Sequence, residues 1–381
     1  MKIGIDASRL AVGKRTGTEN YTYQVTRRII ENQQHNFALY FNKPPTSLLL
    51  HGLNLGENVT TCAMPTPRMW THTRLSLEML MHAPDALFIP AHVLPLYHPL
   101  RSVVTIHDLG YLYHPEAHTP NSRMYLNWST RFSARKSRLV ISVSQATAND
   151  LTRHYGISPD KIRVIPHGYD REQFKPIKDA SLIAYARTKY NIEQGPYIFY
   201  VGTIQPRKNL ERLMEAFAAL VRDENFDYPA RNQLQLVLGG KPGWMSEPIM
   251  QKAVALNLPE QIKLVGYVSD IDLPALYSGA EAFTFPSLYE GFGLPALEAM
   301  ACGVPVICSN TGSLPEVVGD AALLHHPLDA KAIEWNLRRL LCNPQLRGEM
   351  VNKGLRRAAL FSWEKCTNET LATLIEVAGK R

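Results

Sequence analysis

Short apolar runs rich in β-branched residues recur along the chain. They alternate with longer stretches in which apolar positions return every three or four residues. Runs at residues 2–6, 38–41, 86–89, 102–106, 139–143 and 162–165 read as strands. A second series follows at 197–201, 235–238, 262–265, 282–285 and 304–308. Helical periodicity marks 20–32, 145–155, 209–222, 274–278, 295–301 and 330–342. Strands covered on both faces read as continuous apolar runs, and interleaving them with helices builds parallel sheets. The pattern predicts an α/β protein with two successive β/α series, each a Rossmann-like domain. The change of domain is expected between Pro166-His167-Gly168 and Gly195-Pro196, because residues 170–178 carry charges and Pro176 and show no periodicity. In doubly wound sheets ligands gather at the carboxyl ends of strands. The loops that follow strands are therefore where chemistry is sought, with substrate in the cleft between the two sets of strand ends.

Composition supports two domains and narrows the partners. The 381 residues are 45% apolar and 20% charged, enough for two cores at about 150 residues per domain and unlike a disordered chain. The formal charge of +7 is unevenly placed: residues 1–180 hold 21 basic and 13 acidic side chains, and residues 181–381 hold 20 and 21. A basic first half suggests an anionic partner, whether a phosphate-bearing ligand, a membrane surface or a nucleic acid. The five cysteines, Cys62, Cys302, Cys308, Cys342 and Cys366, are odd in number and have no CxxC spacing. Neither a disulfide framework nor a zinc site is indicated, which suits a reducing cytosol. No apolar run approaches the roughly 20 residues of a membrane span. The opening Met1-Lys2-Ile3-Gly4-Ile5-Asp6 reads as a first strand rather than a signal peptide.

GxxxxGK[ST], HExxH, GxSxG and GxGxxG are all absent, which removes the usual arguments for P-loop, zincin, α/β-hydrolase and dinucleotide chemistry. Three strand-end segments suit phosphate instead. The first, Gly13-Lys14-Arg15-Thr16-Gly17-Thr18-Glu19-Asn20, reads equally well as an ordinary βα loop. The second, Val201-Gly202-Thr203-Ile204-Gln205-Pro206-Arg207-Lys208-Asn209, sets a planar guanidinium and an ammonium side by side, a suitable pair for a diphosphate, just before Asn209 as helix cap. The third, from Pro286 to Met300, contains Glu290-Gly291-Phe292-Gly293-Leu294-Pro295 and Glu298. Its glycines free backbone N–H groups to converge on an anion at the start of a helix opened by Pro295. Glu290 and Glu298 suit hydroxyl recognition, since a carboxylate only accepts hydrogen bonds. The pair suggests a polyol ligand, a sugar at one carboxylate and a ribose at the other. Eleven of the 13 histidines lie in residues 1–180, so a lone histidine says little. His107 stands out because it follows a strand at its carboxyl end, whereas His325 and His326 read as structural.

The Glu290-x7-Glu298 segment resembles the signature of retaining nucleotide-sugar glycosyltransferases of family four, which have the GT-B fold: two Rossmann-like domains facing each other across a cleft. The likeness extends over nearly the whole chain. Residues 13–20 resemble the family's N-terminal glycine loop, with G-G-x-G loosened to T-G-T-E-N. Val164-Ile165-Pro166-His167-Gly168-Tyr169-Asp170 resembles V-I-P-N-G-V-D, with histidine for asparagine. Residues 202–210 resemble the G-x-x-x-x-R-K-N-L donor loop, and residues 264–268 with 273–278 the L-G-Y-V…L-P-A-L-Y-S run. The resemblance implies that Arg207 and Lys208, with Gly202 and Thr203 in the same loop, bind the donor diphosphate. It implies Glu298 on the ribose, and Glu290 with the amides of Gly291, Phe292, Gly293 and Leu294 around the donor sugar and phosphates. It places Gly17 against the diphosphate from the opposite domain, His107 at the donor-sugar pocket and Asp108 towards the acceptor, and makes His107, Glu290, Arg207 and Lys208 the expected catalytic residues. Some relatives have an arginine where this chain has Thr203. By the same resemblance the domains are 1–175 for the acceptor and 176–360 for the donor, with a helix at 361–381 crossing back to the first.

The expected activity is transfer of a hexosyl group, with GDP-mannose as the donor by resemblance to mannosyltransferases of bacterial surface-polysaccharide assembly. The donor is a substrate; neither a cofactor nor a metal is expected. The basic first half fits a polyprenyl-diphosphate-linked or glycan acceptor at the cytoplasmic face of the membrane, and no nucleic-acid motif accompanies the charge. A GT-B nucleotide-sugar epimerase or hydrolase, which would turn over donor alone, and a non-catalytic sugar-nucleotide-binding scaffold are the competing readings.

Overall fold

A computed structural model describes residues 1–11, 17–46, 50, 52–66, 68–115 and 119–379. They form two compact units, Met1–Gly168 with Ser362–Arg381, and Tyr169–Phe361. The sequence placed the change of domain at 175/176, whereas in the structure it falls at Gly168/Tyr169. The reason is local. Phe174 is buried against Tyr277, with ring centroids 6.3 Å apart, and the Ile177 amide donates to Ser278 Oγ at 2.9 Å. Residues 169–178 are thereby fastened to the second unit.

The first unit holds seven parallel strands: β1 (Lys2–Asp6), β2 (Asn36–Phe41), β3 (Val59–Ala63), β4 (Ala86–Ile89), β5 (Ser102–Ile106), β6 (Leu139–Ser142) and β7 (Ile162–Val164). Their order is β3-β2-β1-β4-β5-β6-β7. The second unit holds β8 (Tyr197–Val201), β9 (Gln235–Gly239), β10 (Ile262–Gly266), β11 (Ala282–Phe285), β12 (Val306–Ser309) and β13 (Ala322–His325), in the order β10-β9-β8-β11-β12-β13. The pairings are parallel throughout. Each sheet grows to one side from its first strand, then restarts on the other. It therefore reverses once, between β1 and β4 and between β8 and β11, and such reversals open ligand crevices.

Two strands were not predicted, and both lie at a sheet edge. In β3, Val-Thr-Thr-Cys-Ala is mostly exposed, and β13 is half-buried, so neither shows the continuous apolar run of a central strand. Helix Pro120–Lys136 was missed for the opposite reason. Its buried residues are Ser129, Thr130, Ser133 and Ala134, while Met124, Tyr125 and Trp128 are exposed. Apolar periodicity cannot reveal a helix whose inner face is small and polar. Its start is nonetheless ordinary: Thr119 accepts from the Ser122 amide at 3.3 Å and Pro120 occupies the first turn. Helices Ala180–Lys189 and Glu247–Ala255 bury one residue each, Ala186 and Ile249, too few to give a period. The first helix runs over Gly17–Ile29, three residues earlier at each end than the pattern suggested.

The last helix, Trp363–Gly379, completes the first unit. Trp363, Cys366, Leu374 and Val377 join the same apolar cluster as Ile3, Ile5, Val25, Phe88 and Ile141, and Arg163 pairs with Glu376 at 3.1 Å. Here Gly168 is required: a Cβ on it would lie 2.0 Å from the Trp363 backbone nitrogen. A Gly168→Ala change must push the start of this helix off the core. It is expected to destabilise the first unit by about 1–3 kcal/mol, in the range for overpacking. Thermal denaturation that gives an unchanged melting temperature would show the helix free to move away.

Candidate active site

The reversal between β8 and β11 brings two of the three phosphate-suited loops to neighbouring strand ends. After β8 the backbone passes Gly202 at φ 155°, where a Cβ would sit 2.7 Å from the Tyr200 hydroxyl. Thr203 is exposed. A short turn, Pro206–Lys208, presents the two cations and ends at Asn209 in the left-handed region, φ 59°. Asn209 stands at the N-cap position of helix Leu210–Arg222, but its side chain does not cap it. Instead Nδ2 donates to Pro286 O at 3.0 Å and to Pro327 O at 2.7 Å, tying the β8 loop to those that follow β11 and β13.

Arg207 and Lys208 converge on one carboxylate. Lys208 Nζ is ion-paired and hydrogen-bonded to Glu290 Oε1. Arg207 NH1 lies 3.3 Å from Glu290 Oε2 and donates to Tyr289 O at 2.5 Å. The Leu288 amide returns a bond to Arg207 O at 2.9 Å. Lys208 also lies 5.0 Å from the centroid of the Phe285 ring, and Lys208 and Glu290 are both buried. Burial alone would raise the Glu290 pKa, but the charges of Lys208 and Arg207 and the Lys208 hydrogen bond outweigh it and hold it below the usual value. Glu290 is thus ionised, and the cluster carries a net charge of about +1. The sequence had assigned the cations to a diphosphate and Glu290 to a sugar; the structure places all three in one contact.

The amides of the third segment start helix Leu294–Ala301, with Gly293 before it at φ 101°. Leu294 rather than Pro295 is its first residue. The N–H groups of Gly291, Gly293 and Leu294 donate to no acceptor among the described residues. The Phe292 ring packs on Phe361 at 5.9 Å between centroids, so this residue faces inward with its side chain. Glu298 lies in the same helix, half-buried, 3.4 Å from the Tyr277 hydroxyl that donates to it. Burial first, then the negative charge of Asp270, pushes its pKa up to about 8. The two glutamates are therefore shifted in opposite directions: the neighbouring cations favour the ionised form of Glu290, and burial with Asp270 favours the neutral form of Glu298.

In the first unit His107 follows β5 and is buried. Its Nε2 lies 2.8 Å from Pro90 O, and its amide donates to His92 Nε2 at 3.3 Å. The rings of Tyr21, His92 and His167 surround it, with centroids 4.9, 5.4 and 5.5 Å away. Burial, reinforced by His92, lowers its pKa to about 3. Asp108 Oδ1 accepts from the Gly110 amide at 2.9 Å, which starts a short helical turn. Gly17 is the first residue of helix Gly17–Ile29, and a Cβ there would meet nothing within 4 Å. Residues 13–16 of the glycine loop lie outside the described residues. His325 is buried in β13, its Nδ1 3.1 Å from His326 O.

Sequence reasoning missed the supports of this site: Tyr277 under Glu298, Asp270 beside it, and Ser313, whose hydroxyl lies within 3.0 Å of both Glu290 O and Phe292 O. Ser313 follows β12 at its carboxyl end, the position that should have drawn notice. An anionic ligand with hydroxyls fits this set. Two cations and outward amides can neutralise phosphate, and two carboxyl groups can take hydroxyls.

The profile of the family described as "Glycosyltransferase Family 4" matches residues 15–173, and that of "Glycosyl transferases group 1" matches residues 185–357. The chain is similar to the O-antigen chain mannosyltransferase B of Escherichia coli, 36% identical over 271 residues, covering 71% of this chain and 69% of that protein. It is 32% identical to the Escherichia coli serotype-specific mannosyltransferase WbdA over 269 residues, 70% of this chain but 32% of that longer protein. Among solved structures it resembles Anabaena HepE, determined in complex with UDP and glucose, with a TM-score of 0.74, 18% identity and 98% of both chains covered.

The raised Glu298 pKa has a thermodynamic consequence. Between pH 4.5, the unperturbed value, and about 8, the folded protein keeps a proton that the unfolded chain has released. Stability then falls with rising pH, by at most about 1.4 kcal/mol per unit from this group. Its contribution is fully present below pH 4.5 and lost as pH passes about 8. Glu298→Gln is expected to match the wild type in denaturation near pH 5 and to exceed it at pH 8.5. Parallel pH profiles for the two proteins would show that Glu298 ionises normally.

Proposed function

The chain belongs to glycosyltransferase family four and has the GT-B fold, and we propose that it moves a mannosyl group from GDP-mannose to a hydroxyl of a glycan or polyprenyl-diphosphate-linked acceptor. It is a retaining hexosyltransferase; the donor, the acceptor and the residue roles are this proposal. What carries it is the meeting of Arg207, Lys208, Glu290 and the open amides of Gly291, Gly293 and Leu294 at the β8/β11 reversal. The relatives with mannosyltransferase names support mannose.

In this reading Arg207 and Lys208 take the diphosphate and Glu298 the ribose, with Gly202 and Thr203 lining the same loop. As the bond from anomeric carbon to phosphate oxygen breaks, negative charge grows on the leaving diphosphate, where the two cations and the helix start stabilise it. The acceptor hydroxyl attacks from the face the diphosphate leaves, and its proton passes to the departing phosphate oxygen. The protein supplies positioning and electrostatics rather than a nucleophile. Neither a resident cofactor nor a metal is part of the proposal, because fixed side-chain charge does the work a cation would do. Gly17, His107 and Asp108 are assigned to the first unit's share of substrate contact.

The membrane part of the proposal rests on helix Pro120–Lys136. It contains no acidic residue, and Arg123, Arg131, Arg135 and Lys136 are exposed beside Met124, Tyr125 and Trp128. Leu77, Leu80 and Tyr97 extend this apolar surface, joined to it through His72, which lies 3.0 Å from the Tyr125 hydroxyl, and through the Tyr97 amide, which donates to Ser76 Oγ at 3.3 Å. Aromatic and aliphatic tips among cations suit an anionic lipid surface. Binding to vesicles containing phosphatidylglycerol is expected to weaken with salt and with Trp128→Ser. Equal binding to neutral vesicles, or none in low salt, would remove the membrane from the proposal.

Calorimetry with GDP and GDP-mannose, together with turnover in excess EDTA, tests the donor site. Glu298→Gln is expected to weaken both ligands, because the ribose is common to them. Glu290→Gln removes the negative charge that Arg207 and Lys208 share with the diphosphate in this reading, so GDP affinity is expected to hold or rise while transfer falls. Lys208→Ala should lose at least about tenfold in kcat/KM, since a charged hydrogen bond contributes roughly 1.5–3 kcal/mol. Loss of GDP binding in Glu290→Gln but not in Glu298→Gln would reverse the two roles. Activity abolished by EDTA and restored by magnesium would refute the metal-free mechanism. Donor breakdown that never depends on an acceptor would favour a hydrolase.

A further inference from the structure

Ser313 lies in the loop after β12 and is fully buried. Its hydroxyl is 2.7 Å from Phe292 O and 3.0 Å from Glu290 O, and its amide donates to Glu290 O at 3.1 Å. A hydroxyl has one proton. The shorter contact takes it, and the amide serves the Glu290 carbonyl. The neighbouring Thr311 hydroxyl donates to Leu288 O at 3.0 Å. Gly312, at φ 58°, lets this loop come close, because a Cβ there would lie 2.6 Å from Glu290 O.

A trans peptide is planar, and its C=O and N–H point in opposite directions. The Glu290 carbonyl shares a peptide with the Gly291 N–H, and the Phe292 carbonyl shares one with the Gly293 N–H. Both carbonyls are drawn to Ser313. Both N–H groups therefore point away from Ser313, to the same side, and neither meets an acceptor among the described residues. With Gly293 in the left-handed region at φ 101°, the segment has the form of an anion-binding nest leading into a helix N-terminus.

We propose that Ser313 is a positioning residue for the transfer reaction: it holds the Glu290 and Phe292 carbonyls so that the Gly291 and Gly293 amides face the phosphate and sugar end of the donor. This rests on the donor-site reading above. Ser313 acts only through those two peptides. Donors fixed in advance toward developing charge act mainly on the transition state. Loss of the hydroxyl should therefore appear in kcat and in binding of the second phosphate, not in binding of the nucleoside.

The test compares Ser313→Ala, Ser313→Cys and Ser313→Thr with the wild-type chain. Cysteine keeps the size and offers only a weak donor, and threonine keeps the hydroxyl. GMP, GDP and GDP-mannose are the probes, by calorimetry and by transfer assay. The expected result is a fall in kcat of about tenfold or more for Ala and Cys, weaker GDP binding, unchanged GMP binding, and retention of most activity by Thr. A purely structural role would lower the melting temperature and weaken GMP together with GDP. If Ser313→Ala does not fold, the Cys protein provides the same readout. A folded Ser313→Cys protein with wild-type kcat overturns the proposal while leaving the donor site standing. Failure of the wild-type chain to bind any of the three probes would instead strike the donor reading, and this inference with it.

Discussion

The ionised Glu290 carboxylate, held between Arg207 and Lys208, is the interaction on which the second unit's site depends. Taking a carboxylate out of water costs several kcal/mol, which is recovered only with close countercharges. Here the countercharges come from a different strand end. The Lys208 ion pair and the 3.3 Å contact with Arg207 make the loops after β8 and β11 a single body. Without the β8 loop the buried Glu290 carboxylate would lose both of these countercharges. The cluster also sets the electrostatics of any ligand. Two cations shared with one resident anion attract a phosphate less strongly than they would without it, and their field on a phosphate grows only where the carboxylate turns from them, as to a ligand hydroxyl.

Around that cluster, close backbone approach replaces side-chain bulk. Gly240, at φ 152°, would place a Cβ 1.8 Å from Gly202 O, so the turns after β8 and β9 touch directly. Gly312 does the same against Glu290. Asn209 adds a polar rivet to the carbonyls of Pro286 and Pro327. These contacts fix loops that carry no regular hydrogen-bond ladder, and they satisfy backbone carbonyls that would otherwise be buried without partners. The outward amides are the complement of this arrangement: carbonyls paid for inside leave N–H groups facing out.

Central strands and the principal site residues were legible in the sequence because each leaves a local trace. Central parallel strands such as β8, Tyr-Ile-Phe-Tyr-Val, and β11, Ala-Phe-Thr-Phe, are buried and mostly apolar runs, and Arg207-Lys208 and Glu290-Gly291-Phe292-Gly293 are short segments with their own composition. Edge strand β3 and helix Pro120–Lys136 left none, since one is polar on its open side and the other buries Ser, Thr and Ala. The contact of Glu290 with Lys208 was out of reach as well: it joins residues 82 positions apart, and no spacing rule within one element implies it. Ser313 escaped for a related reason. A serine in a loop has no distinctive pattern until the carbonyls it meets are known.

His107 shows how far geometry narrows chemistry. Its sequence position would have allowed a general acid, a general base or a polar contact. Pro90 O can only accept, so the Nε2 that lies 2.8 Å from it must bear the proton. A neutral imidazole with its proton on Nε2 leaves Nδ1 as an acceptor. Burial and the neighbouring His92 hold the ring neutral by pushing its pKa down to about 3, so an imidazolium is not available to donate a proton near neutral pH. What remains is a rigid ring, fixed by Tyr21, His92 and His167, that can receive a hydrogen bond from a hydroxyl. In the proposed function such a ring would orient a sugar or an acceptor hydroxyl. It agrees with a reaction in which the proton of the attacking hydroxyl leaves with the phosphate rather than with a side chain.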